Sequence, residues 1–342
     1  MPRIPYSLIR RAHRENPLLP LLLRECRTVD SARNELRWLY EAVREKPSPT
    51  KWSWLISMCR LRSRGFPLQY ILGNQPFGEL EILCHRGVLI PRPETESYTY
   101  KSAQILRQRN EGKSERKLRV LDLCTGTGCI SLLLHTLLAP HFQRLSITGV
   151  DISPVALGLA QKNIQHNVQL GHLAPHASTD IQFHRADVLW SGSDSLTSIQ
   201  SLLQSLDRCT SPPSASVQYD LLISNPPYIS RAEFRNGTTA RSVRLFEPEL
   251  ALVPPTVTET GTPEDIFYRR ILSLALELET PLAVLECGDM AQAQRVVALY
   301  ERLGSNSHSS AEIWPTSERD LAEYGFHETD GSRCVIIQRL LP

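Results

Sequence analysis

The stretch Ser224-Asn225-Pro226-Pro227-Tyr228 closes an apolar run at 219–223. Proline has no N–H to give a strand ladder, so a strand must stop there. What is left exposed is one amide side chain, free main-chain carbonyls and one aromatic face. That set suits a planar NH2 group conjugated to a carbonyl or a ring, whose delocalised lone pair reacts only when something orients it. Asn225 can accept one of its N–H groups through the side-chain oxygen, and the Pro226 carbonyl can accept the other. Pro226 and Pro227 stiffen those carbonyls, while Tyr228 covers the flat face of the bound group. The plain alternative is a rigid turn after a strand.

A second segment, RVLDLCTGTGCISLLL, reads as a strand, a glycine turn and a helix, an arrangement that aims backbone N–H groups and a helix N-terminus at a ligand. Gly126 and Gly128 permit close approach; alone, such a loop marks any Rossmann-like domain or simply a tight turn. Asp151 ends the next apolar run, about 25 residues after the loop, a spacing suited to gripping ribose hydroxyls. Asp151 and Ser153 also precede a helix whose first position is Pro154, so a capping role is compatible. Together these features point to a nucleoside cofactor, with NAD as the competitor. The tetrapeptide from Asn225 to Tyr228 decides, because a dinucleotide enzyme has no use for it at a strand tip. The methyl of S-adenosylmethionine suits it: alignment and strengthening hydrogen bonds carry the reaction, with no metal or acyl intermediate.

The elements that must hold these residues follow from periodicity. Residues 28–72 read as helical, with Leu36, Leu39, Tyr40 and Val43 at helix spacing behind a cap at Asp30 or Ser31. A second helix runs from about Lys51 to Arg64 and stops at Gly65 and Pro67. A hairpin linker over 76–92 and a helix after Pro93 follow. Apolar runs at 118–123, 145–150, 181–189, 219–223 and 282–287 then alternate with helical segments at 128–138, 153–165 and 264–279. Such alternation means a parallel sheet covered on both faces, here closed by an antiparallel pair near the C-terminus. The Ser/Thr/Pro-rich spacers 171–180, 191–217 and 253–263 read as surface insertions without a core of their own. The units are then 1–25, either a transit segment or a basic arm; 26–75, a small helical domain; 76–92, the linker; and 93–342, the catalytic domain.

Length and composition fit this. The chain has 342 residues, 41% hydrophobic and 22% charged, with a net charge of +2, so binding of a nucleic-acid duplex by bulk charge is not indicated. Cysteines at 26, 59, 84, 124, 129, 209, 287 and 334 show no zinc spacing, which predicts reduced thiols and no metal site. The run LLPLLL at 18–23 is too short for a bilayer, and no membrane association is expected. Arg3, Arg10, Arg11, Arg14 and Arg24 oppose only Glu15 at the start, the bias of an organellar transit peptide.

The motifs PLQYILGNQPFGELEI, GVLIPRPETE, VLDLCTGTGCI, VDISPVAL, LLISNPPYI, FEPELAL and FYRRIL resemble the HemK/PrmC family of protein glutamine-N5 methyltransferases, across most of the chain. The resemblance implies a Rossmann-like class I S-adenosylmethionine-dependent methyltransferase domain, α/β with a mostly parallel seven-stranded sheet, behind a small N-terminal helical domain. It implies as substrate the glutamine of the Gly-Gly-Gln motif of a peptide-chain release factor, supporting translation termination. Asp122, Cys124, Thr125, Gly126, Thr127, Gly128, Asp151, Asp187, Val188 and Asn225 would hold the cofactor. Asn225, Pro226, Pro227 and Tyr228 would grip the glutamine amide, with Arg92 and Glu96 at the rim. Cys124 stands where the family usually has glycine, so the turn or the affinity is altered there. The helical N-terminal domain and basic start favour a mitochondrial member. N-methyltransferases of RNA or DNA bases share the Asn-Pro-Pro-Tyr motif and form the alternative; their basic groove or RNA-binding module is not evident here. A non-catalytic relative is opposed by the intact tetrapeptide.

Overall fold

The computed structural model describes residues 3–44, 50–112, 115–189, 197–210, 218–256, 262–304, 309–315 and 333–339. Five helices open the chain: α1 (Tyr6–Glu15), α2 (Leu19–Cys26), α3 (Val29–Arg44), α4 (Lys51–Ser63) and α5 (Leu68–Leu72). Their core joins Ala12, Leu19, Leu22 and Leu23 to Leu39, Leu55 and Cys59, all essentially inaccessible to water. Residues 6–26 thus pack with the helical unit, across the boundary expected at 25. Of the arginines that suggested a free arm, Arg10, Arg11 and Arg14 lie exposed on α1, Arg3 precedes it and Arg24 is exposed on α2, while Leu18, Leu19, Leu22 and Leu23 are buried. In α3 the cap is Thr28, whose hydroxyl accepts from the Ser31 N–H at 3.1 Å, and not Asp30 or Ser31. Tyr40 is exposed; Glu35 takes the inner face instead, gripped in bidentate fashion by Arg62 at 2.7 and 2.8 Å.

The hairpin lies earlier than expected. Strands β1 (Asn74–Phe77) and β2 (Leu80–Leu83) pair antiparallel, starting right after Gly73, whose φ of +93° lets the chain leave α5 abruptly. Pro76 is tolerated because β1 pairs with β2 alone. The other edge of β2 is satisfied by side chains: Asn163 and Asn167 accept from the Leu83 and Glu81 N–H groups at 2.7 and 3.0 Å. Residues 84–92 contain no regular element and run on to the mouth of the site.

Helix α6 (Pro93–Arg109) leads into the main sheet, built with β3 (Lys117–Leu123), α7 (Cys129–Leu138), β4 (Arg144–Asp151), α8 (Pro154–Leu170), α9 (Ala177–Asp180), β5 (Ile181–Arg185), α10 (Ile199–Thr210) and β6 (Leu221–Ser224). It ends with α11 (Arg231–Asn236), α12 (Arg241–Phe246), α13 (Ile266–Glu277), β7 (Leu282–Cys287), α14 (Met290–Gly304), β8 (Ser309–Trp314) and β9 (Arg333–Arg339). The strand order is β5-β4-β3-β6-β7-β9-β8, parallel through β7 and antiparallel for β9 and β8. Apolar clusters cover both faces, as continuous apolar strands require. Chain order reverses between β3 and β6, which opens a crevice beyond their C-terminal ends.

Two expected insertions contribute to the core, with residues 191–196 and 211–217 of the second outside the described residues. Ile199, Leu202 and Leu203 of α10 are buried against the sheet, and Leu173 and Ala177 are buried in the 171–180 segment. Val253 is buried as well; residues 257–261 of the third spacer lie outside the described residues. Away from the crevice, His135 Nε2 meets Asp180 Oδ2 at 3.0 Å, and His176 brings its ring within 5.3 Å of that of His135. Cysteine spacing gave no hint of this histidine group. Burial pulls the His135 imidazole below its ordinary pKa, and its contact with Asp180 ties α7 to α9.

Candidate active site

At the tip of β3 the chain turns through three residues with positive φ: Cys124 at +59°, Gly126 at +56° and Gly128 at +79°. The Thr125 N–H still reaches the Val150 carbonyl at 3.0 Å, and the Gly128 N–H closes the turn on the Thr125 carbonyl at 2.8 Å. A Cβ on Gly128 would stand 2.8 Å from the Phe183 ring, so glycine is required there by packing as well as by φ. Cys124 adopts the left-handed conformation without the freedom of glycine, at a cost of about 1–2 kcal/mol. Burial raises its thiol well above the ordinary pKa, which leaves it protonated and unreactive.

Asp151 organises the loop. Its Oδ2 accepts from the Gly126 N–H at 2.9 Å and its Oδ1 from the Ser153 N–H at 2.8 Å, while Ser153 itself caps α8. Each carboxylate oxygen keeps a lone pair for a ligand. Burial raises the Asp151 pKa, and these backbone donors oppose the rise. Asp122 behaves differently from expectation. It is completely buried, turns away from the crevice and accepts from the Thr125 and Ser131 hydroxyls at 2.6 Å each. It shapes the loop from behind. Burial pushes its pKa up to about 6, and its Oδ1 has no hydrogen-bond partner among the described residues.

The crevice holds a cavity of about 570 Å³, within the range of cofactor sites. Its lining is made of residues 87–92, 124–127, 151–153, 186–189 and 248–251, joined by Asn225 and Pro227. Asp187 and Val188 are thus on the wall, and Asp187 Oδ1 holds the turn by accepting from the Leu189 N–H at 2.8 Å. Gly128 is not on the wall.

Behind Asn225 a smaller cavity of about 130 Å³ is bounded by Leu89, Arg92, Asn225, Tyr228, Val243 and neighbouring residues. Asn225 and Arg92 border both cavities. Pro226 is buried and lines neither. Arg92 donates to Glu247 at 2.7 Å, and Glu247 also accepts from the Ile90 N–H at 3.0 Å, so the 84–92 segment is clamped to the end of α12. Glu96 does not join this site. It faces a separate hollow with Tyr100, Arg107 and Leu137.

Three residues of the site were not singled out from the sequence. Thr95 Oγ1 donates to Glu286 Oε2 at 2.7 Å and lies 3.3 Å from Asn225 Nδ2; the Tyr228 hydroxyl donates to Glu286 Oε1 at 3.1 Å. Glu247 is the third. Glu286 carried a signal: it is a lone acid near the end of an apolar strand, as Asp151 is. Burial raises its pKa, opposed by the Tyr98, Thr95 and Tyr228 hydroxyls in that order, and burial raises the Tyr228 phenol well above its ordinary value.

The family described as methyltransferase domain matches residues 114–188. The probable MRF1 mitochondrial N(5)-glutamine methyltransferase mtq1 of Schizosaccharomyces pombe is 35% identical over 301 residues, covering 84% of this chain and 86% of that protein. The mitochondrial MRF1 N(5)-glutamine methyltransferase MTQ1 of Saccharomyces cerevisiae is 38% identical, over 74% of this chain and 68% of that one. The release factor glutamine methyltransferase of Geobacter sulfurreducens is 30% identical, over 81% and 84%. Among solved structures, the N-terminal domain of human METTL16 aligns with 90% of this chain and 94% of its own, at a TM-score of 0.50 and 14% identity. That likeness shows the shared class I methyltransferase fold alone.

Proposed function

This chain belongs to the release factor glutamine methyltransferase family, and on that footing we propose that it methylates the side-chain nitrogen of the glutamine in the Gly-Gly-Gln motif of a mitochondrial peptide-chain release factor, using S-adenosylmethionine. The observation that carries this reading is Asn225. Its Nδ2 is turned toward Thr95 at 3.3 Å, which leaves Oδ1 as an acceptor where the two cavities meet. An acceptor at that point fits a substrate N–H and repels a carbonyl.

The larger cavity fits the cofactor on chemical grounds. Asp151 offers lone pairs suited to ribose hydroxyls, the loop at 124–127 brings backbone close, and 186–189 supplies an apolar wall at Val188 for a base. When bound, S-adenosylmethionine supplies a methyl group made electrophilic by its sulfonium charge. The chain's own contribution is alignment: Asn225 Oδ1, where the two cavities meet, holds one amide hydrogen, and Tyr228 packs on Gly288 and walls the smaller cavity. Developing positive charge on the substrate nitrogen strengthens that hydrogen bond. The proton shed from that nitrogen needs no base, since it becomes acidic as the new bond forms.

A mitochondrial setting rests on the names of the two yeast relatives. Arginine bias at the start adds less support, because α1 and α2 are packed into the helical unit. No described helix is long and apolar enough to cross a membrane. The functional test is methyl transfer from labelled S-adenosylmethionine to a mitochondrial release factor and to its Gln→Ala variant at the Gly-Gly-Gln tip. Label is expected only in the first. Equal labelling of both overturns the proposal, and labelling of RNA in place of protein favours a base methyltransferase.

A further inference from the structure

Asn225 can serve as an acceptor only if its amide is fixed one way round, since a flip would present NH2 to the substrate NH2. Something in the protein must choose. Thr95 is the neighbour on its nitrogen side, and a threonine hydroxyl can either donate or accept. Its single proton is committed elsewhere, because Thr95 Oγ1 lies 2.7 Å from Glu286 Oε2 and donates to it. The lone pairs of Thr95 are then all that Asn225 meets, so Asn225 must point its Nδ2 there.

Resting on the proposed amide methylation, we infer that Glu286 is a positioning residue that sets the amide orientation of Asn225 through Thr95. An ionised carboxylate accepts and cannot donate, so it imposes one direction on the relay. Its second oxygen takes the Tyr228 hydroxyl at 3.1 Å, which fixes the other end of the tetrapeptide in the same way. Glu286 is 1% exposed, at the tip of the strand next to β6. A fully buried carboxylate is costly unless its lone pairs are used, and two hydroxyls use them here. The same charge would be an expensive way to support a turn. It becomes intelligible if its acceptor-only character is what the site requires. Thr95 belongs to α6 and Glu286 to β7, so the helix after the 84–92 segment and the sheet jointly set the reactive amide.

The relay has consequences that mere packing does not share. Glu286→Gln keeps the shape but adds a donor, which can point at Thr95, turn its proton toward Asn225 and flip that amide. Thr95→Val keeps the shape and removes the hydroxyl. Thr95→Ser keeps the hydroxyl and loses only a methyl. We expect kcat to fall about 10²-fold in Thr95→Val and about 10-fold or more in Glu286→Gln, the range for a misoriented reacting group, with cofactor KM within about 3-fold of the wild type. Thr95→Ser should retain activity within about 3-fold.

The readout specific to orientation is the side-chain amide of Asn225. In protein labelled with ¹⁵N-asparagine, its proton pair is assigned by its loss in Asn225→Ala. It should shift in both Thr95→Val and Glu286→Gln and stay near its wild-type position in Thr95→Ser. Shifted signals together with the lost kcat support the relay. Unshifted signals in Thr95→Val and Glu286→Gln overturn it whatever the rates, and so does full kcat in those variants. The amide signals need no substrate. A wild-type protein that fails to label the release factor therefore counts against the proposed function, while the signals still decide the relay.

Discussion

The glycine loop and the Asn225 tip are held in different ways. At the glycine-loop end the groups that face a ligand are mostly backbone, and one acid, Asp151, is fixed by two backbone N–H groups from residues close to it in sequence or in the adjoining turn. At the Asn225 end the arrangement depends on side chains drawn from distant parts of the chain: Thr95 is 130 residues from Asn225 and 191 from Glu286. The first end tolerates variation in side chains wherever the backbone path survives. The second does not, because each member dictates the hydrogen-bond direction of the next.

The largest effect expected from that contrast is at Asn225. Asn225→Ala should lower the rate of methyl transfer about 10³-fold, the scale for loss of one preorganised polar group, and leave cofactor affinity within about 3-fold, as read by single-turnover kinetics and calorimetry. Comparable losses in both would merge the two ends into one. Asp151→Ala should do the reverse, weakening cofactor binding about 10²-fold through lost hydrogen bonds to a charged group, with most of the rate recovered at saturation.

A smaller effect separates the support of the loop from its face. Asp122 has its pKa pushed up to about 6 from an ordinary 3.8, so the folded protein holds that proton through a pH window in which the unfolded chain has released it. Stability from this group is present at low pH and is lost as pH rises through about 6. Asp122→Asn lacks that dependence. Its stability relative to the wild type should improve by on the order of 2 kcal/mol between about pH 4.5 and about pH 7 in denaturant titrations. A difference independent of pH would contradict the burial of a titrating carboxyl. The smallest effect is at Cys124, where φ is +59°. Cys124→Gly relieves the left-handed strain but gives the unfolded chain more freedom, so melting should place the two proteins within about 1 kcal/mol. A loss beyond about 2 kcal/mol would mean that the thiol packs more than the turn costs.

Local pattern made much of this molecule legible. The alternation of strands and helices, the stop at Asn225, the glycine turn and the Asp151 tip each depend on residues adjacent in sequence. Harder to read were elements whose apolar face is thin. In α10, Ile199, Leu202, Leu203 and Leu206 keep helix spacing, but serine and glutamine around them resemble a linker. In α1 and α2 the arginines on the outer face obscured the leucines beneath. Within the site, sequence placed Asp122 and Gly128 near the cofactor without revealing that both act from behind the wall. Glu96 was drawn in by its neighbours in the IPRPETE motif, whereas helix geometry turns Thr95 toward the site and Glu96 away. The link between Thr95 and Glu286 has no local signature, because only the folded sheet brings α6 against β7.

In the proposed reaction Asn225 presents its oxygen to the reacting nitrogen of the substrate, facing the methyl donor. A crystal structure with the demethylated cofactor and a glutamine peptide tests it most directly. The cofactor sulfur is expected beside Asn225 in the large cavity, with the substrate nitrogen between that sulfur and Asn225 Oδ1. A sulfur turned toward residues 186–189, out of reach of anything Asn225 could hold, would contradict it.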